Sequence, residues 1–106
     1  MTYSEKLRDP RWQRKRLEIL TRDNWQCQSC GSKDKPLQVH HLVYSKLDPW
    51  EYPDYVFQTL CDDCHQVRHE MVDRLVDALR ISLRDVPTQR LQIVSDRICS
   101  DAMKDL

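Results

Sequence analysis

The 106-residue sequence predicts a small α+β domain: a helix, two short strands and a second helix gathered around bound metal, then a helical extension. Three observations predict it. Four of the five cysteines form two Cys-x2-Cys pairs, Cys27/Cys30 and Cys61/Cys64. All four histidines, His40, His41, His65 and His69, fall in the same stretch. Around them the apolar spacing changes from helical to β-rich and back to helical. Eight candidate ligands between residues 27 and 69 exceed the needs of one ion, so the sequence implies two sites with different jobs.

Taken in order, residues 1–8 read as a loose arm. Asp9-Pro10 starts a helix, with Asp as N-cap and Pro at the first helical position. That helix runs to about Asp23, with Trp12, Leu17, Ile19 and Leu20 as its apolar set, ringed by Arg8, Arg11, Arg14, Lys15, Arg16 and Arg22. The basic residues suit phosphate contact. Trp12 at this spacing is a core residue, with stacking on a base as the alternative. Gly31, the only glycine, follows Cys30 and suits the tight turn of a zinc knuckle. Strands are expected over Leu37–Tyr44 and Val56–Leu60. Between them Ser45–Tyr55 holds Pro49 and Pro53 and reads as an irregular loop packed by Trp50 and Tyr52, with a rim on the site as the other reading. Asp62 opens a helix with two acids in its first turn, extending to about Arg84 through Val67, Met71, Leu75 and Leu79. Asp85-Val-Pro87 breaks it, and Thr88 caps a last helix bearing Leu91, Val94, Ile98 and Ala102. The domain is thus residues 1–70 with an extension over 71–106. The extension either packs back on the domain or forms a homodimer or another partner contact.

Two knuckles some thirty residues apart suit tetrahedral Zn(II), since each turns two thiolates toward one point. The rivals are two disulfides or four ordinary buried thiols, but Cys-x2-Cys disulfides are mainly redox devices and the sequence shows no secretory signal, so a reducing cytoplasm is expected. The histidines fit a second ion. His65 and His69 are four apart on a helix and share a face. His40 and His41 are strand neighbours and point to opposite faces, so one joins the helical pair while the other stays available to take a proton. Composition fits a soluble globular domain, with 32% charged residues, zero net charge and no apolar run long enough to span a membrane. Charge is uneven: residues 1–36 carry nine Lys/Arg against five Asp/Glu, residues 37–70 two against six, and residues 71–106 six of each.

These residues resemble the HNH endonucleases of the ββα-metal (His-Me finger) class, in the branch stabilised by two Cys-x2-Cys knuckles. That pattern is His-His, fourteen residues, Asn, eight residues, His, three residues, His. Here it is His40-His41, fourteen residues, Val56, eight residues, His65, three residues, His69. The resemblance covers about residues 9–70. It implies a treble-clef-like ββα-metal HNH domain with an N-terminal helix and a C-terminal helical extension. It further implies structural Zn(II) on Cys27, Cys30, Cys61 and Cys64, and a catalytic cation, Mg(II), Mn(II) or another divalent ion, on His40, His65 and His69. His41 becomes the general base for hydrolysis of DNA phosphodiester bonds. Double-stranded DNA is the expected partner, gripped through Arg11, Arg14, Lys15, Arg16 and Arg22. Val56 departs from the pattern, because valine cannot offer the hydrogen bonds by which the family Asn braces the loop of the catalytic His. The polar stretch Asp48–Tyr55 is the expected substitute. A zinc-stabilised DNA-binding module with weak or lost catalysis, and an interaction protein built on the C-terminal helices, are the alternatives.

Overall fold

Helix begins earlier than expected. In a computed structural model describing residues 1–43 and 46–102, the expected loose arm is a helix, α1 (Tyr3–Arg8). The cause is local: Thr2 Oγ1 accepts the Glu5 N–H at 3.2 Å, and the Glu5 carboxylate accepts the Thr2 N–H at 3.3 Å. This reciprocal capping box satisfies two otherwise orphaned donors. Asp9 ends α1 and caps α2 (Pro10–Arg22), its carboxylate accepting the Arg11 N–H at 2.8 Å. Past α2 the chain turns through two left-handed residues, Asn24 (φ 59°) and Trp25 (φ 52°), and the Trp25 N–H returns to the Leu20 carbonyl at 2.9 Å. Gly31 is left-handed as well (φ 81°), and its N–H closes the first knuckle on the Cys27 carbonyl.

The two strands, β1 (Leu37–His41) and β2 (Phe57–Cys61), pair antiparallel, from Leu37 opposite Cys61 to His41 opposite Phe57. Both differ slightly from expectation. β1 stops at His41; Tyr44, its expected end, and Ser45 lie outside the described residues, as do residues 103–106. β2 begins one residue late because Val56 belongs to a 3-10 turn, Asp54–Val56, its N–H bonded to the Pro53 carbonyl. A second 3-10 turn spans Pro49–Glu51, so proline here starts short helical turns where an irregular loop was expected. Both loop aromatics join the main core. Tyr52 is buried in the main core with Trp12, Ile19, Val56 and Phe57, while Trp50 lies half-buried beneath the Arg11 guanidinium at 4.1 Å. Trp12 is therefore a core residue. A smaller cluster, Cys27, Leu60 and Cys61, lies beneath the knuckles.

An ion pair with a buried carboxylate ties α2 to β2. The Asp23 carboxylate, 8% exposed, accepts two bonds from the Arg22 guanidinium at 2.8 and 2.9 Å and one from the Thr59 N–H at 3.0 Å. Arg22 also donates to the carbonyls of Asp54 and Phe57, each at 2.7 Å. Burial opposes ionisation of Asp23, but the bonds from Arg22 and Thr59 outweigh it and hold the carboxyl below its ordinary range. Asp23→Ala leaves the buried Thr59 N–H without its acceptor and frees a partly exposed guanidinium, and the expected loss is about 1–3 kcal/mol in urea unfolding. A carboxylate whose folded pKa is depressed stabilises above its unfolded value, about 3.9, and loses that contribution as pH falls through the folded value. The gap between wild type and Asp23→Ala should accordingly close in acid. A gap that persists unchanged there would remove the carboxylate from the account.

β2 runs straight into α3 (Asp62–Ser82), and Thr88 opens α4 (Thr88–Ala102). The chain divides into two units, Met1–Arg68 and His69–Leu106, with the division inside α3. The first is α+β, with one two-stranded sheet; the second is helical. Among the described residues no helix is long and apolar enough to cross a membrane.

Candidate metal centre

The sulfur site is made by two chain reversals. In each knuckle the first sulfur accepts the backbone N–H of the second cysteine at 3.5 Å: Cys30 N–H to Cys27, and Cys64 N–H to Cys61. Pairing of β1 with β2 and the start of α3 then bring the reversals together, so that the four Sγ atoms lie within 4.8 Å of one another. The Cys30 and Cys61 sulfurs are 3.8 Å apart. A tetrahedral ion with Zn–S bonds of about 2.3 Å requires sulfur separations of about 3.8 Å, whereas a disulfide requires about 2.05 Å. All four cysteines are free thiols. Burial disfavours the Cys27 thiolate, yet N–H donors from Cys30, Cys61 and Ser29 outweigh it and pull its pKa down to about 6. Thiol contacts from Cys61 and Cys30 push Cys64 up to about 12. Four sulfurs this close cannot all ionise without a cation, and the set fits a structural metal ion.

The second group is nitrogenous. His40, His65 and His69 place one ring nitrogen each within 4.8 Å of the others. His65 and His69 are one turn apart on α3, and the His40 ring meets the His65 ring edge-on at 4.9 Å. Three imidazoles with room for further ligands suit a site that also takes water or substrate. Cys64 completes the sulfur group and His65 begins the imidazole group. Consecutive residues serve both because they diverge by about 100° around the helix.

His41 faces the other side of β1, as strand alternation requires. Its ring stacks on Trp12 at 5.0 Å and meets Phe57 at 4.8 Å and Tyr52 at 5.9 Å. Burial lowers its pKa, against an opposing hydrogen bond to the Pro49 carbonyl. Pro49 belongs to the polar stretch Asp48–Tyr55, so that loop supplies His41 with a backbone acceptor while Val56, 1% exposed, sits in the core. His41 also lines a cleft of about 220 Å³ with Tyr3, Lys6, Lys46, Pro49 and Tyr52.

The basic residues divide. Arg22 is bound into the fold through Asp23, Asp54 and Phe57. Arg11 pairs with Asp9 at 3.0 Å and covers Trp50; Lys15 pairs with Asp54. Arg14 and Arg16 form no ion pair with any described residue, and Arg14 is exposed. Sequence reasoning missed four contributors, Tyr3, Lys6, Lys46 and the Pro49 carbonyl. Tyr3 and Lys6 went unseen because Thr2-Tyr-Ser-Glu5 was not read as a capping box. The Pro49 carbonyl carries no side-chain signal at all. Comparison of the chain with protein-family models, with curated proteins and with solved structures finds no match.

Proposed function

We propose that this chain is a metal-dependent endonuclease of the HNH type that hydrolyses DNA phosphodiester bonds. The observation that carries the reading is the parting of two adjacent histidines: His40 joins His65 and His69, while His41 turns to a braced position beside a cleft. A purely structural module has no use for that division.

A divalent cation held by His40, His65 and His69 would supply stabilisation of the negative charge that builds on the phosphate and the departing 3′-oxygen. The chain's own residues do the rest. His41, its pKa lowered by burial, is neutral at pH 7 and accepts a proton from the attacking water. Its bond to Pro49 and its packing on Trp12 and Phe57 fix the ring, which limits misplacement of the accepting nitrogen. Lys46 puts positive charge at the cleft, where Lys6 is paired with Asp48 at 2.7 Å, and Arg14 and Arg16 offer backbone contacts along α2. The sulfur-bound ion, read as Zn(II), holds the fold. By the resemblance, the products carry 5′-phosphate and 3′-hydroxyl ends.

Nicking of supercoiled plasmid with Mg(II) or Mn(II) tests the proposal. His41→Ala and His69→Ala should each stay folded with one zinc per chain and lose nicking by about 10²–10⁴-fold. A wild type that binds duplex DNA but never nicks it with any divalent ion would favour the binding module. Wild-type rates in His41→Ala would remove His41 as the base.

A further inference from the structure

The unit beginning at His69 has no core of its own. No described residue from 70 to 100 is buried, and only Leu83, Val86 and Leu91, at the turn between the helices, are even half-buried. Nine large apolar side chains in this stretch are between 37% and 68% exposed. In proteins most of a helix's stability comes from covering its apolar face rather than from propensity. The exposed residues are also patterned. On α3, Met71, Val72, Leu75, Val76 and Leu79 span an arc of about 140° at 100° per residue, wide enough to meet two neighbouring helices. On α4, Val94 and Ile98 continue the stripe begun by Leu91.

We infer that a second copy of this chain covers these faces, two α3–α4 pairs meeting as a four-helix assembly. Area is the first argument. A Leu-class side chain presents about 60–120 Å² of apolar surface, so nine such residues roughly half exposed offer about 450 Å². A standard interface buries about 800 Å² per partner, some 60% of it apolar, which is about 480 Å². Charge is the second argument. Residues 70–106 carry six Lys/Arg against seven Asp/Glu, a net of −1, so two copies meet without strong repulsion and the surface has no cationic surplus for nucleic acid or anionic lipid. Topology is the third. Each chain brings two helices and a two-fold axis supplies the other two, the smallest closed solution for a wide apolar arc.

Sedimentation of the zinc-loaded full chain across the micromolar range tests the inference without reference to catalysis. The expected species has twice the 12.8 kDa mass of the chain. Leu75→Glu combined with Ile98→Glu should raise the dimer dissociation constant by about a hundredfold or more while leaving one zinc per chain. Leu75→Ala with Ile98→Ala, which adds no charge, should weaken the dimer by a smaller factor and keeps the test sound if the glutamates unfold the helices. A wild type monomeric at every concentration overturns the inference and leaves the faces to a different protein. A dimer indifferent to both double variants overturns it too, by placing the interface elsewhere.

Discussion

Cys27→Ser and Cys64→Ser chains should lose zinc and cooperative folding together. Zinc bound by a cysteine site contributes on the order of 10–16 kcal/mol to small domains, while whole domains are stable by about 5–15 kcal/mol. Among the described residues the hydrophobic core of the first unit is nine buried side chains, and two of them, Cys27 and Cys61, are themselves in the sulfur group. With one ligand gone, the cluster joining the knuckles to Leu60 has nothing to close on. Zinc analysis beside thermal unfolding followed by circular dichroism measures both losses. His65→Ala is the matched control, because it changes the next residue of α3 but leaves the four sulfurs; it should retain one zinc and a cooperative transition. A folded, zinc-free Cys27→Ser protein would refute the structural role.

Val56→Asn should damage the protein rather than improve it. The proposed family places an amide here, and restoring it would look like a repair. The structure argues otherwise. Val56 is 1% exposed, packed with Trp12, Ile19, Tyr52 and Phe57, and its own N–H and carbonyl are already bonded to Pro53 and Leu42. His41 has the Pro49 carbonyl. An asparagine would bring a side-chain amide into an apolar cluster, at a cost of about 2–3 kcal/mol. The expected outcome is a lowered urea midpoint with nicking unchanged or reduced. A marked rise in kcat at unchanged DNA affinity would show that Pro49 does not brace His41 adequately.

Those two variants mark how far the residues alone could be read. Cys27, Cys30, Cys61 and Cys64 were legible because knuckle spacing is a local constraint that survives any tertiary arrangement. His65 and His69 were legible for the same reason: one helical turn fixes their separation. The separation of His40 from His41 followed from strand alternation. Failures came where a backbone group or a distant partner decides. Nothing about Arg22 in the sequence distinguishes it from Arg14, yet four bonds to residues 32 or more positions away or to its neighbour Asp23 bind it into the fold. Val56 was read as a strand residue because valine favours strands, but the Pro53 carbonyl captures its N–H and shifts the strand by one residue. Pro49 was read as a breaker, while its carbonyl became the acceptor for His41.

The succession Cys61–Cys64–His65–His69 constrains more than chemistry. Two members of the sulfur group and two of the imidazole group are placed along nine residues of one continuous stretch, the last three of them on α3. Adding or deleting a single residue between Cys64 and His69 would swing everything beyond it by about 100°, carrying His69 away from His65 and His40. Loops elsewhere in such a chain can lengthen or shorten at little cost. This segment can vary in side chain but not in count, so related sequences should show length variation between Cys30 and Leu37 or across the 46–55 loop and none from Cys61 to His69.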